Sequence, residues 1–185
     1  MDDRSSLQNI IECLIFISKH PLTIQEISEF LKDVEKKEIT AALDELQKRW
    51  EDMGRSFVLG SVAEGYQFRT RPEYSQYIVE FNKEIKKFRL SKAALEVLAI
   101  AAYKQPVTKI EVEKIRGVDC SSSVSILLER RFIEIAGRKE VPGKPFLYRT
   151  TNLFLETFGL KDLKDLPTVK EIEKIKEDFK PNFIG

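Results

Sequence analysis

The chain has 185 residues, 42% of them apolar, and a formal net charge of +1 at neutral pH. That length suits one domain or two small ones, and the balanced charge lacks the basic excess from which a dedicated duplex binder draws most of its affinity. No stretch reaches the roughly 18 consecutive apolar residues of a membrane span, the opening Met1–Ser6 is acidic and polar where a signal peptide is basic and then apolar, and Cys13 and Cys120 stand too far apart for a metal-spaced pair, so a cytoplasmic protein with two reduced cysteines is expected.

Leu7, Ile10, Ile11, Leu14, Ile15 and Ile17 contain the i, i+3, i+4, i+7 spacing of a buried helix face. Cys13 and Phe16 widen that face until little polar surface remains. A helix apolar nearly all round needs cover on more than one side. Ile11, Leu14 and Ile15 are therefore candidates for a dimer contact, the alternative being the central core helix of a single domain.

Pro21-Leu22-Thr23-Ile24-Gln25-Glu26-Ile27 then encodes a complete helix start. Thr23 caps a free backbone N–H, Glu26 reaches back to the cap, and Leu22 and Ile27 form a hydrophobic staple. Pro21 closes the preceding helix because it cannot donate to it. The next helix runs over 24–31 with Ile27, Phe30 and Leu31 facing in, and a third over about 36–50 carries Ile39, Leu43, Leu46 and Trp50 on one stripe. Beyond Gly54, Phe57–Leu59 and Tyr66–Arg69 read as strands around Glu64-Gly65. Three helices followed by a hairpin is the winged-helix plan.

The spacing of Tyr74, Ile78, Phe81, Ile85 and Phe88 extends a helix out of this unit. Lys83, Lys86, Lys87 and Arg89 face only Glu84 there, as a solvated linker surface does.

The second half repeats the order. Ser91 caps a helix carrying Leu95, Leu98 and Ala102, and Pro106-Val107-Thr108-Lys109-Ile110-Glu111-Val112 repeats the helix-start pattern 85 residues after its first copy. A third helix over about 122–130 turns Val124, Leu127 and Leu128 inward, and strands follow at Phe132–Ala136 and Phe146–Arg149 around a loop over 137–145. Phe68-Arg69-Thr70 and Tyr148-Arg149-Thr150 match as strand ends, each leading into a short aromatic helix. Two corners and two strand ends in one order indicate a duplication. The expected fold class is mainly α with small β-hairpins, as two tandem winged-helix domains: 1–80, a linker over 81–90, and 91–158. A tail over 159–185 carries a last short helix, capped by Thr168 and Glu171 and bearing Ile172, Ile175 and Phe179.

Catalytic chemistry is absent from the sequence. His20, the only histidine, sits in a turn. Cys120-Ser121-Ser122-Ser123 lacks the glycine pattern that exposes a nucleophile, and Asp119–Ser122 reads as a helix cap. No glycine-rich phosphate loop occurs. No enzyme, cofactor or metal site is expected. As DNA readers, both third helices are poor: Lys36, Lys37, Lys48 and Arg49 are offset by Glu35, Glu38, Asp44 and Glu45, and the second offers mainly serines. The wing loop is locally basic through Arg138, Lys139 and Lys144 against Glu140, which suits at most weak backbone contact, and Pro142 and Pro145 make it stiff, which suits a protein partner equally well.

Leu90–Ile100, Ala102–Thr108, Glu113–Val118, Leu127–Arg130, Gly137–Lys139, Pro142–Pro145, Tyr148–Thr151, Phe154–Leu160 and Asp165–Pro167 together resemble the ScpB family of bacterial segregation and condensation proteins, in order and nearly gapless over about 78 residues. The resemblance implies two winged-helix domains, a homodimer formed mainly through the N-terminal domains, and docking on the kleisin ScpA, which bridges an SMC ATPase at the nucleoid. On that pattern Tyr103, Arg138 and Phe146, which lie in the family-like segments, are kleisin-binding candidates. Two departures stand out. The family usually has Gly where Arg131 sits, a helix end that favours φ > 0, and Lys144 replaces an Arg, keeping charge but losing a bidentate fork. The competing reading is a winged-helix transcription regulator, which predicts sequence-selective, salt-steep duplex binding.

Overall fold

The computed structural model of the chain describes residues 3–81, 90–168 and 171. The basic linker face of Lys83, Lys86, Lys87 and Arg89, the helix continuation through Ile85 and Phe88, and the tail stripe of Ile172, Ile175 and Phe179 lie outside the described residues.

The first unit runs α1 (Asp3–Ile17), α2 (Ile24–Phe30), α3 (Lys36–Asp52), β1 (Phe57–Val62) and β2 (Gly65–Thr70). A single turn of 3-10 helix at Pro72–Tyr74 leads into α4 (Ser75–Phe81). The second unit runs α5 (Lys92–Lys104), β3 (Val107–Thr108), α6 (Lys109–Arg116), α7 (Ser121–Glu129), β4 (Ile133–Arg138), β5 (Phe146–Thr150) and α8 (Asn152–Phe158), followed by a 3-10 turn at Leu163–Asp165. Among the described residues the fold is mainly helical with two small antiparallel sheets, in tandem winged-helix order.

Both repeated corners form complete capping boxes. Glu26 N–H donates to Thr23 Oγ1 (3.2 Å) while Thr23 N–H donates to the Glu26 carboxylate (2.8 Å). Thr108 and Glu111 do the same at 3.3 and 2.8 Å. Each box fixes where its helix begins, and losing such a cap costs about 1 kcal/mol. The wings then close back on the corners. Leu22 exchanges two backbone hydrogen bonds with Tyr66, both 2.9 Å. At the matching position of the second unit Val107 pairs with Tyr148, and Thr108 with Leu147, giving a third strand and the order β3-β5-β4. The sequence had suggested only two strands here.

Each unit has its own apolar centre. Ile11, Ile15, Ile27, Ile39, Leu43, Leu46 and Leu59 form the first. Val97, Leu98, Val112, Leu127, Ile133 and Phe154 belong to the second. The tip of the first hairpin joins that second cluster: Val62 and Ala63 are buried in it. Ala63 (φ 48°) and Glu64 (φ 60°) make the tight two-residue turn that reverses the strands. Their N–H groups donate to the Leu160 and Lys161 carbonyls, both at 2.8 Å. Gln67 and Arg69 add contacts to the Glu156 side chain and carbonyl (3.2 and 3.1 Å). The wing of the first unit thus docks on the end of α8.

Some inward-facing expectations change. Phe30 faces solvent, because the buried edge of α2 is filled by Ile27; on α5 Val97, Leu98 and Ala101 are buried and Leu95 is exposed. The cap expected over Asp119–Ser122 forms: Cys120 is the residue before α7, and Asp119 accepts from Ser121 N–H (3.0 Å).

Candidate partner-binding surfaces

Packing of α1 against α3 and β2 divides its apolar residues into two stripes. Ile11 and Ile15 turn into the chain's own core and are fully buried there. They are therefore unavailable for the dimer contact expected of them, and of the three candidates only Leu14 reaches the surface. The neighbouring stripe, Ile10, Cys13, Leu14 and Ile17, also has helical i, i+3, i+4, i+7 spacing but faces outward. Ile17 is 74% exposed and Phe30 of α2 is 67% exposed. Leu14, Ile17, Leu22 and Phe30 line one shallow groove, rimmed by His20. An uncovered cluster of large aliphatic and aromatic side chains is the usual mark of an interaction site.

The other edge of α1 is held by polar and aromatic groups. Glu12 accepts from Trp50 Nε1 (3.1 Å) and pairs with Arg49 (2.9 Å). Phe16, though exposed, stands edge-on to Phe68 with ring centroids 6.4 Å apart, and Phe68 packs in turn on Trp50 and Phe57. This anchoring fixes the rotation of α1 and leaves the second stripe pointing away from the unit.

The second wing presents a different surface. Arg138 and Phe146 face each other across β4 and β5, and the guanidinium lies 4.0 Å from the ring centroid. Such a cation–π contact is worth about 1 kcal/mol at an exposed site. Arg138 also donates to the Lys144 carbonyl (3.1 Å), holding the wing loop against its own strand. The loop is clasped further by Lys139 N–H to Pro145 O and Lys144 N–H to Val141 O, both 2.9 Å. At its base Lys139 meets the capping carboxylate of Glu111. The Lys139 ammonium, with the Thr108 N–H and hydroxyl, holds the Glu111 carboxyl down at about 2. Arg138 and Phe146 thus form one unit. Tyr103 lies at the end of α5, where its hydroxyl donates to the Pro167 carbonyl (2.6 Å).

Among the described residues no group of three or more His, Cys, Asp or Glu is placed to hold a metal ion. Cys120 is buried, and desolvation pushes its thiol pKa up, away from the reactive thiolate. Ser121 Oγ donates to Asp119 (2.6 Å) and stays within the cap. His20 is exposed, its Nδ1 3.2 Å from the Pro21 carbonyl. No described helix is long and apolar enough to cross a membrane.

The sequence reading missed Ile10, Cys13, Ile17 and Phe30 as surface residues. Their helical spacing was visible, but a helix apolar all round does not say which stripe faces the core.

Known proteins converge on one family. The profile described as "Segregation and condensation complex subunit ScpB" matches residues 9–169. The chain is 42% identical over 176 residues to segregation and condensation protein B of Syntrophotalea carbinolica, covering 95% of this chain and 88% of that one. It is 45% identical over 161 residues to the protein of that name from Symbiobacterium thermophilum, covering 87% and 73%. Among solved structures, ScpB from Mycobacterium tuberculosis matches at 28% identity over 86% of this chain and 99% of that one, with a TM-score of 0.42. The chain belongs to the family of the segregation and condensation complex subunit ScpB.

Proposed function

We propose that the chain is a non-enzymatic subunit of an SMC–kleisin complex, which binds the kleisin ScpA as a homodimer and supports chromosome condensation and segregation at the nucleoid, in the cytoplasm. Beyond family membership, the outward stripe Ile10, Cys13, Leu14 and Ile17 with Phe30 carries the reading. A second copy presenting the same face would cover it by a two-fold contact, the commonest symmetry of soluble oligomers.

The kleisin is assigned to the second wing. Arg138 over Phe146 offers a rigid aromatic body and a charged fork, side-chain types enriched at binding hot spots. In this role the chain contributes shape and apolar contact, while the ATP chemistry belongs to the SMC partner.

The test is co-purification of the tagged chain from a bacterial extract with identification of a bound kleisin, together with light scattering of the pure protein. A dimer that retains ScpA is expected. A strict monomer at micromolar concentration, or a chain that captures one duplex sequence at nanomolar strength and no kleisin, overturns the reading.

A further inference from the structure

The two wings of the duplication meet different fates. The second carries a loop over 139–145 at its tip, where Val141 is 41% exposed. The first ends in a two-residue turn, and its tip residues Val62 and Ala63 are 1% and 4% exposed. Both belong to the second core rather than the first.

Strand alternation lets one hairpin serve both units. The register of β1 and β2 puts Phe57, Leu59, Tyr66 and Phe68 on one face. Leu59, Tyr66 and Phe68 pack into the first core, and Phe57 lies against Trp50. The opposite face carries Val62, Gln67 and Arg69. Gln67 reaches the Glu156 carboxylate (3.2 Å), and Arg69 reaches the Glu156 carbonyl (3.1 Å) while bonded to Gln67 (3.3 Å). Buried N–H groups need acceptors, and those of Ala63 and Glu64 find theirs in the second unit, at the Leu160 and Lys161 carbonyls. Leu160 itself packs against the second core.

We propose that the first wing is a latch that locks the two units into one rigid, cooperatively folding body. Val62 and Ala63 complete the second core from within the same chain, so undocking uncovers apolar surface on both units at once. The latch holds the outward stripe of α1 and the Arg138–Phe146 wing at one fixed spacing. A partner that grips both meets a preset geometry and has no hinge to order. The latch also takes the first wing tip out of reach of any external partner, duplex included.

Trp50 is the only tryptophan. It packs on Phe57 and Phe68 within the first unit, so its fluorescence reports that unit. Leu127, wholly buried in the second core, is the site to perturb. In the full-length chain, Leu127→Ala should lower the urea midpoint of the Trp50 transition together with that of α7, read by hydrogen exchange. Ile133→Val, a milder change in the same core, should act the same way to a smaller extent. Ala63→Asp should abolish the Trp50 response to both. Aspartate tolerates the positive φ of the turn but puts a carboxylate into an apolar contact. The Glu64 amide should then exchange at least about tenfold faster. The Leu22 and Tyr66 amides should stay protected, showing that the wing remains paired to its own corner. Ala63→Gly keeps the turn and should keep the coupling. A Trp50 transition that ignores both second-core substitutions overturns the proposal. So does coupling that survives Ala63→Asp. Coupling that fades on dilution places the docking between copies and also overturns it. None of these outcomes depends on whether ScpA is the partner.

Discussion

Gly65 lies so close to Leu22 that a Cβ built on it would stand 2.9 Å from the Leu22 carbonyl carbon. The first wing is pressed against the helix-turn corner there, where Leu22 and Tyr66 exchange hydrogen bonds on either side of the close approach. Neither backbone has room to yield, so Gly65→Ala should cost about 2 kcal/mol through overpacking. Gly60, whose added Cβ would meet only ordinary contacts at 3.8 Å, is the control. Gly60→Ala should be neutral or slightly stabilising, because it restricts the unfolded chain. Urea unfolding of both variants checks the opposite signs, and equal effects would remove the close-approach argument.

Arg131 takes the left-handed conformation (φ 59°) that its place after α7 requires. Arg131 N–H donates to Leu128 O (3.0 Å) and Phe132 N–H to Leu127 O (2.9 Å), the bond pair of a Schellman helix end. Phe132 then packs against the second core, to which buried Leu127 belongs. The related end of α8 puts Gly159 at the same place, with φ 68°. An L side chain in this region costs roughly 1 kcal/mol or more. Arg131→Gly should therefore raise stability by about 1 kcal/mol, less the added freedom of the unfolded glycine. Arg131→Val should lower it, since a β-branched side chain suits φ > 0 worst. Thermal unfolding by circular dichroism distinguishes the two, and a destabilised glycine variant would contradict the strain reading.

These two sites show what the sequence carried and what it withheld. Capping boxes are local, so Thr23, Glu26, Thr108 and Glu111 were legible from spacing alone. The glycine-like demand at Arg131 was legible too, as a departure from the family pattern. Strand β3 was not, because two residues carry no alternation and their partner, β5, lies about 40 residues away. Val62 and Ala63 read as a strand end and a turn, and nothing local says that they enter the other unit's core. On α1 the failure was one of degeneracy. Both stripes satisfy the helical period, and only the placement of α3 and β2 selects Ile11 and Ile15 for burial. Tertiary contact decided each of these cases.

The Glu111 carboxylate couples the second corner to its wing. Its pKa is lowered from 4.5 to about 2, first by Lys139 and then by Thr108. A carboxyl depressed in the folded state stabilises the protein above its unfolded pKa and loses that contribution as pH falls through the folded value. The window runs from about 4.5 down to about 2. The group is partly exposed, so solvent screening reduces the gain to about 1 kcal/mol. Unfolding free energies of the unsubstituted chain and Glu111→Gln should differ by about that much near neutrality and converge toward pH 2. A difference that stays constant across the window would assign the effect to packing rather than to charge.

On α1, the inward and outward stripes should respond differently to substitution. Ile11 is wholly buried in the first core, so Ile11→Ala leaves a cavity and should cost about 3 kcal/mol of folding stability. Ile17 is mostly exposed in the single chain, so Ile17→Glu should leave the folding of the unit nearly unchanged. If the outward stripe is a two-fold contact, each substitution enters it twice. Burying a carboxylate without a partner costs at least about 2 kcal/mol. Ile17→Glu should then weaken association by about 4 kcal/mol, roughly a thousandfold. Phe30→Glu, on the other side of the groove, should act the same way. Sedimentation and light scattering read the association, and circular dichroism reads the fold. An Ile17→Glu chain that stays dimeric would move the contact off α1. An unfolded Ile17→Glu chain would mean that the second stripe belongs to the core, as Ile11 and Ile15 do.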